Sequence, residues 1–263
     1  MEKETKQIIL YLSIILIFLG VLNFFIPKKP FEKGNVTKAE EVFSFNLPHI
    51  FFKNEDSTIV SIKVPAVSSE GKGAVVLLTV EAVKGTGKTL VNIDNLLFWA
   101  DTQHSIRMAR LIAGNVSGKN LSEFDLIYSI KTDASAIGGP SAGAAITIAT
   151  IFALNGERPR EDVTITGTIN HDGTIGPVDN ILEKAQASKN FNISTILVPL
   201  LQRKDILYEE RKYCHKFGAS EICTLERIPK EVNIAREVNI TVEEIRDIKQ
   251  AIEFFKSVNS TNT

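Results

Sequence analysis

Seventeen consecutive residues, Gly138 to Leu154, carry no charged side chain, and they begin with the small-residue run Gly138-Gly139-Pro140-Ser141-Ala142-Gly143-Ala144-Ala145. Proline suits the first turn of a helix, and Gly156 followed by Pro159 punctuates its end. The stretch therefore predicts a helix that is apolar on every side. Such a helix has no face to offer water, so it must be central and enclosed by other elements.

Those elements are legible on either side. Thr58–Val64 and Ala74–Val80 read as strands, joined by the turn-rich spacer Ser68–Gly73. Asn95–Ala113 places its apolar residues at helical spacings, and Asp125–Ile130 returns to strand patterning. Beyond the central helix, a strand at Val163–Ile169 leads through the His171-Asp172-Gly173-Thr174 turn to a helix from Asp179 or Asn180 to Ser188, then to a strand at Ser194–Pro199. The C-terminal part reads as a polar helical stretch and a strand near Val238–Ile240. A last helix is opened by a capping box, Thr241-x-x-Glu244, ahead of Ile245, Ile248, Ile252 and Phe255. Mixed strands and helices of this kind make an α+β or α/β domain, with α+β the class expected.

Composition narrows the function classes. Thirty basic residues balance 31 acidic ones, which gives a nucleic-acid footprint no compositional support, and a partner of that kind is not expected. Two cysteines, Cys214 and Cys223, are too few for a disulfide-stapled miniprotein or a four-cysteine zinc site. They read as two structural thiols or, in an extracytoplasmic domain, as one bridge. His49, His104, His171 and His215 lack ligand spacing, so no metal is expected. Lys84-Gly85-Thr86-Gly87-Lys88-Thr89 resembles half of a nucleotide loop, but Ala82 stands where the loop's first glycine is required. A turn at a strand edge is expected there.

From Ile8 to Ile26 run nineteen residues without a charge, flanked by Lys3, Lys6, Lys28 and Lys29. At about 1.5 Å per residue, a helix of this length crosses the hydrocarbon core of a bilayer. No small-residue cleavage site follows, so the segment reads as an uncleaved single-pass anchor in contact with membrane lipid. The expected organisation is an anchor at 1–27, a juxtamembrane linker at 28–47 and a folded domain at 48–263. Sidedness carries two opposed signals. The slight lysine excess after the segment favours a cytoplasmic body. Six N-x-S/T sequons, at Asn35, Asn115, Asn120, Asn192, Asn239 and Asn259, favour an extracytoplasmic one. The sequons tip the reading outward, with the cytoplasm as the alternative.

Two side chains point to chemistry. Ser141 stands at the start of the apolar helix, where free N–H groups and the positive helix end suit a developing oxyanion. Read locally, it also fits a serine in a small-residue packing motif. Lys184 shares the i, i+3, i+4, i+7 set Ile181, Lys184, Ala185, Ser188, which puts its amine on the side of the helix facing the interior unless it snorkels to solvent. Burial disfavours an ammonium, and a neutral amine can take a serine proton.

The motifs G-G-P-S-A-G-A-A at Gly138–Ala145, T-G-x-I at Thr166–Ile169 and G-x-I-x-x-V-x-x-x-x-E-K-A at Gly173–Ala185 resemble the proteolytic domain of the Lon proteases, peptidase family S16. Their order and the 43-residue separation of Ser141 from Lys184 match that family. The resemblance runs from about residue 58 to the end. It implies the Lon proteolytic-domain fold, related to domain 2 of ribosomal protein S5, and serine endopeptidase activity through a Ser-Lys dyad. Ser141 would be the nucleophile, Lys184 the general base and Thr166 the residue that orients the amine. Backbone around Gly139, Ser141 and Ala142 would form the oxyanion site.

The chain departs from the family pattern at three places. Ile137 and Gly138 replace an acidic residue before the serine, Thr168 replaces a glutamate after T-G, and Val178-Asp179-Asn180 replaces V-G-G. The resemblance also implies peptide or unfolded-protein substrates, no cofactor, and self-association into a ring, often a hexamer. No complete nucleotide loop occurs, so hydrolysis without an ATPase of its own is expected, unless a separate ATPase docks. Two rival readings are a catalytically inactive scaffold or peptide binder on the same fold, and a triad hydrolase using His104 or His171.

Overall fold

The computed structural model describes residues 50–92, 100–131, 139–218 and 220–256. The apolar segment Ile8–Ile26, the linker 28–47, His49 and Gly138 lie outside them. Among the described residues no helix is long and apolar enough to cross a membrane.

Five strands form the larger sheet: β1 (Phe51–Lys53), β2 (Ser57–Val67), β3 (Gly73–Lys84), β4 (Thr89–Val91) and β5 (Phe124–Lys131), in the order β1-β2-β3-β5-β4. The β4–β5 pair is parallel and the others are antiparallel. Alternation explains its two faces. Val60, Ile62, Val64 and Ala66 of β2 and Val76, Leu78, Val80 and Ala82 of β3 belong to the main core. Against that face pack α1 (Ala100–Ser117) and α2 (Gly143–Asn155). Every residue of α2 from Gly143 to Leu154 is buried, as a helix without a polar side requires.

The opposite face is also covered. Lys63 Nζ donates to the Phe191 carbonyl, and Gly73 lies so close to the Glu183 backbone that a Cβ there would stand 2.2 Å from its oxygen. Both contacts come from α3 (Ile181–Asn190) and the residue after it. The turn between β3 and β4 is held by Asp125, whose carboxylate accepts the Thr86 and Lys88 N–H groups at 2.8 Å each. The half-motif at Lys84–Thr89 is thus a strand-edge turn.

A second, three-stranded parallel sheet consists of β6 (Val163–Ile165), β9 (Thr195–Pro199) and β12 (Thr241–Ile245), with β9 in the middle. A second apolar cluster joins it to α3 and to α4 (Ile234–Val238). The short hairpin β7 (Thr168–Ile169) and β8 (Ile175–Gly176) encloses the His171–Thr174 turn, and α5 (Ile248–Phe255) closes the main core.

The structure corrects the sequence reading in three places. The strand expected over Val163–Ile169 breaks at Thr166-Gly167. Thr166 N–H still bonds to Leu197 of β9, but Gly167 N–H turns away to the Ser141 carbonyl. The polar stretch after Pro199 is largely a long hairpin, β10 (Lys204–Phe217) with β11 (Ser220–Asn233), whose opposed Cys214 and Cys223 form a disulfide. Cross-strand pairs such as Lys204–Glu231 and Glu209–Lys230 line it. With both its faces exposed, it has no period-two alternation to betray it. Finally, Thr241–Ile245 is β12 rather than the start of a helix. Parallel pairing with β9 buries Val242 and Ile245, and the real cap is Asp247, whose carboxylate accepts the Gln250 N–H.

Phe255 is fully buried and meets Phe152 edge to face, with ring centroids 6.3 Å apart. Phe255→Ala removes the side chain that pins α5 to α2, and we expect it to cost about 3–5 kcal/mol. Urea unfolding of the two proteins reads this directly. A loss under about 1 kcal/mol would mean that α5 is not part of the core.

Candidate active site

Ser141 sits in a single 3-10 turn, Pro140–Ala142, that feeds directly into α2. Gly139 precedes it at φ +116°, a conformation that a side chain rarely adopts. The first N–H groups of a helix have no intrahelical acceptors. Those of Ser141 and Ala142 belong to this opening turn, so the backbone beside the hydroxyl offers donors and the positive helix end.

The turn is fixed by backbone. The Ser141 carbonyl accepts from Gly167 N–H at 2.9 Å, and Ala144 N–H donates to the Gly167 carbonyl at 3.0 Å. Close approach is possible because residue 143 is glycine: a Cβ there would lie 2.8 Å from Ile169 Cγ2 and 3.0 Å from the Ile169 nitrogen. The break between β6 and β7 thus has a purpose, since it frees Gly167 to hold the serine's turn.

Lys184 comes from α3. Ile181 and Ala185 are buried beside it, and Ser188 Oγ donates to the Lys184 carbonyl at 2.8 Å. The residue is 4% exposed. Its amine has no hydrogen-bond or ion-pair partner among the described residues. Burial lowers its pKa from 10.5 to about 8, while the negative charges of Asp179 and Glu183 pull it back upward. A large fraction of Lys184 is therefore an uncharged amine at mildly alkaline pH.

Ser141 and Lys184 line one open cavity of about 330 Å³, together with Gly139, Pro140 and Thr168. No hydrogen bond joins the two side chains directly. Hydrogen bonds of this kind often tighten only when substrate is bound. Thr166 is fully buried, and its hydroxyl donates at 3.5 Å to the Ser141 carbonyl; it makes no bond to Lys184. His104 and His171 are exposed and do not line this cavity. A cluster of metal-ligand type, Cys214, Glu221 and Cys223, lies far along the chain in the hairpin, and its two sulfurs are spent on the disulfide.

Several further residues line the wall that the sequence reading does not name as site residues. Val67 and Ser68, at the end of β2 and in its spacer, and the turn Pro177-Val178-Asp179-Asn180 complete the cavity. The turn explains how the V-G-G departure is tolerated. Asn180 takes the left-handed conformation, φ 57° and ψ 44°, at the start of α3, and asparagine adopts it more readily than most residues. A glycine could be replaced there, and the lysine helix begins where the pattern requires.

Residues 71–232 match the family of the Lon protease (S16) C-terminal proteolytic domain, and the chain belongs to that family. Among curated proteins it is similar to the Lon protease of Desulfovibrio desulfuricans, 33% identical over 135 residues that make up 49% of this chain and 15% of that protein. It is 30% identical to the Lon protease of Lawsonia intracellularis over 51% of this chain and 16% of that protein. The archaeal Lon protease of Thermococcus kodakarensis matches 78% of this chain at 24% identity, and 32% of its own length is covered. The chain thus spans a minor part of the relatives it matches.

The electrostatics of Lys184 are testable apart from any activity. Its amine should titrate near pH 8, against an ordinary 10.5. Asp179→Asn removes a negative charge that favours the ammonium, so the midpoint should move further down. Site-resolved amine reactivity against pH measures both, and a midpoint above 10 would mean that the amine is solvated.

Proposed function

We propose that this chain is a serine endopeptidase that cleaves peptides or unfolded polypeptides through Ser141 and Lys184. The observation that carries this is one cavity lined by a helix-start hydroxyl and a buried amine that has no counter-ion bond among the described residues. Family membership supports peptide hydrolysis over another use of the same two groups.

In this reading the neutral Lys184 amine accepts the proton of Ser141 Oγ as that oxygen attacks the scissile carbonyl. The Ser141 and Ala142 N–H groups, beside Gly139, receive the charge that develops on the carbonyl oxygen. The resulting ammonium returns its proton to the leaving amine, and water hydrolyses the acyl-enzyme by the same route. Thr166 contributes by steadying the serine's turn: from its buried position its hydroxyl donates to the Ser141 carbonyl. No metal or organic cofactor takes part, and no ATP bound by these residues is needed. Self-association into a ring follows from family analogy.

Ser141→Ala removes the nucleophile and Lys184→Ala the base, and each should lower casein or peptide cleavage at least about a thousandfold. The wild-type rate should fall about tenfold per pH unit below pH 8, because the ammonium has no lone pair to accept a proton. Undiminished turnover in either variant would reject the dyad. Peptide binding without cleavage by the wild-type chain would favour the inactive-binder alternative.

We further propose that Ile8–Ile26 anchors the chain in a membrane with the protease domain on the extracytoplasmic side. Support comes from the Cys214–Cys223 disulfide, a bond favoured in oxidising compartments, and from the exposure of the sequon residues Asn115, Asn120, Asn192 and Asn239. Added protease should degrade the domain in intact cells, and complete protection would put it in the cytoplasm.

A further inference from the structure

We infer that the cavity around Ser141 and Lys184 selects a lysine or arginine side chain next to the scissile bond, with Asp179 as its charge partner. The inference rests on the peptidase reading and deepens it by naming the class of substrate.

Among the described residues, Asp179 and Lys184 are the charged side chains that line the cavity. Lys184 must be uncharged to accept the serine proton. In the form that reacts, the cavity therefore carries the negative charge of Asp179 with no cationic side chain among its described lining residues to balance it. Asp179 makes no hydrogen bond or ion pair among the described residues, and it caps no helix, since the N-cap of α3 is Asn180. Its carboxylate is thus not committed to holding the turn, whose conformation is set by Asn180.

Asp179 is exposed where it borders the cavity, so its carboxylate is open to solvent and to an incoming side chain. Pro177 and Val178, next to it in the same turn, also line the cavity, and Val67 adds apolar surface to a lining that includes the polar Ser68, Thr168 and Asn180. A carboxylate beside apolar residues suits a side chain with an aliphatic stem and a cationic tip. A glutamate or aspartate in the same place would meet like charge. Asp179 also suits the positive end of α3 and raises the basicity of Lys184. Both effects act on every peptide alike, so they cancel when substrates are compared with one another.

The test uses the full chain and a matched set of peptides that differ only at the residues flanking the bond cut, carrying Lys, Arg, Gln or Glu, with cleavage sites fixed by mass spectrometry. For the wild type, kcat/KM should be about fivefold higher for Lys and Arg than for Gln, and lower again for Glu. Asp179→Asn should bring the basic-to-neutral ratio close to one, and Asp179→Lys should invert it. Cleavage of the Gln peptide that is lost in Ser141→Ala establishes the peptidase reading independently. If that holds while the wild type has no basic preference, or while the preference survives in Asp179→Asn, the inference is overturned and the peptidase reading stands. If the wild type cleaves none of the peptides, both fall.

Discussion

Two hydrogen bonds, from Gly167 N–H to the Ser141 carbonyl and from Ala144 N–H to the Gly167 carbonyl, couple the start of the central helix to the segment between β6 and β7. They are main-chain bonds, so the serine's turn is held chiefly by backbone, with the Thr166 hydroxyl adding a longer bond to the same carbonyl. They require the two backbones to touch, and that requirement reaches back into composition. Gly143 must lack a Cβ, Gly167 must turn out of the second sheet, and the helix behind them must be apolar on all sides because the core surrounds it. The small-residue run and the enclosed helix are one constraint seen at two scales.

Against this fixed element stands an energetic tension. Placing a lysine at 4% exposure with no ion pair among the described residues disfavours its charged form, and the fold tolerates this because the amine can give up its proton. The rest of α3 supplies the compensation. Ile181 and Ala185 are buried in the second cluster, and the Glu183 backbone packs against Gly73 of β3. The helix is thus held by apolar packing and close backbone contact on its flanks, which leaves the lysine free to be shaped by chemistry instead of stability.

How much of this was legible in the sequence follows from how local each signal is. The enclosed helix, β2, β3, β5, β9 and α3 could be read because each carries a period of its own, apolar throughout or alternating. Ser141, Lys184 and Thr166 could be named because three motifs stand in a fixed order, although adjacency in the sequence could not say that Thr166 would meet the serine's carbonyl. The β10–β11 hairpin was illegible for a physical reason. A two-stranded ribbon exposed on both faces leaves Ile206, Tyr208, Ile222 and Leu225 in solvent, so no burial pattern distinguishes it from a charged helix. β12 was misread because Thr241-x-x-Glu244 satisfies a capping pattern locally, while pairing with β9, more than forty residues away, decides the outcome.

The turn before α3 separates what a fold requires from what a site can vary. Backbone geometry demands a residue that accepts the left-handed region at position 180, and asparagine meets that demand. Nothing in the same geometry dictates the side chain at position 179, which makes no hydrogen bond or ion pair among the described residues yet borders the cavity shared by the hydroxyl and the amine. A position that is structurally free but electrostatically close to a base is where charge can be changed without disturbing the scaffold. An aspartate there raises the proton affinity of Lys184, and under the proposed selection the same charge also acts on what approaches the cavity. The two effects have the same origin, and they part only when peptides of different charge are compared.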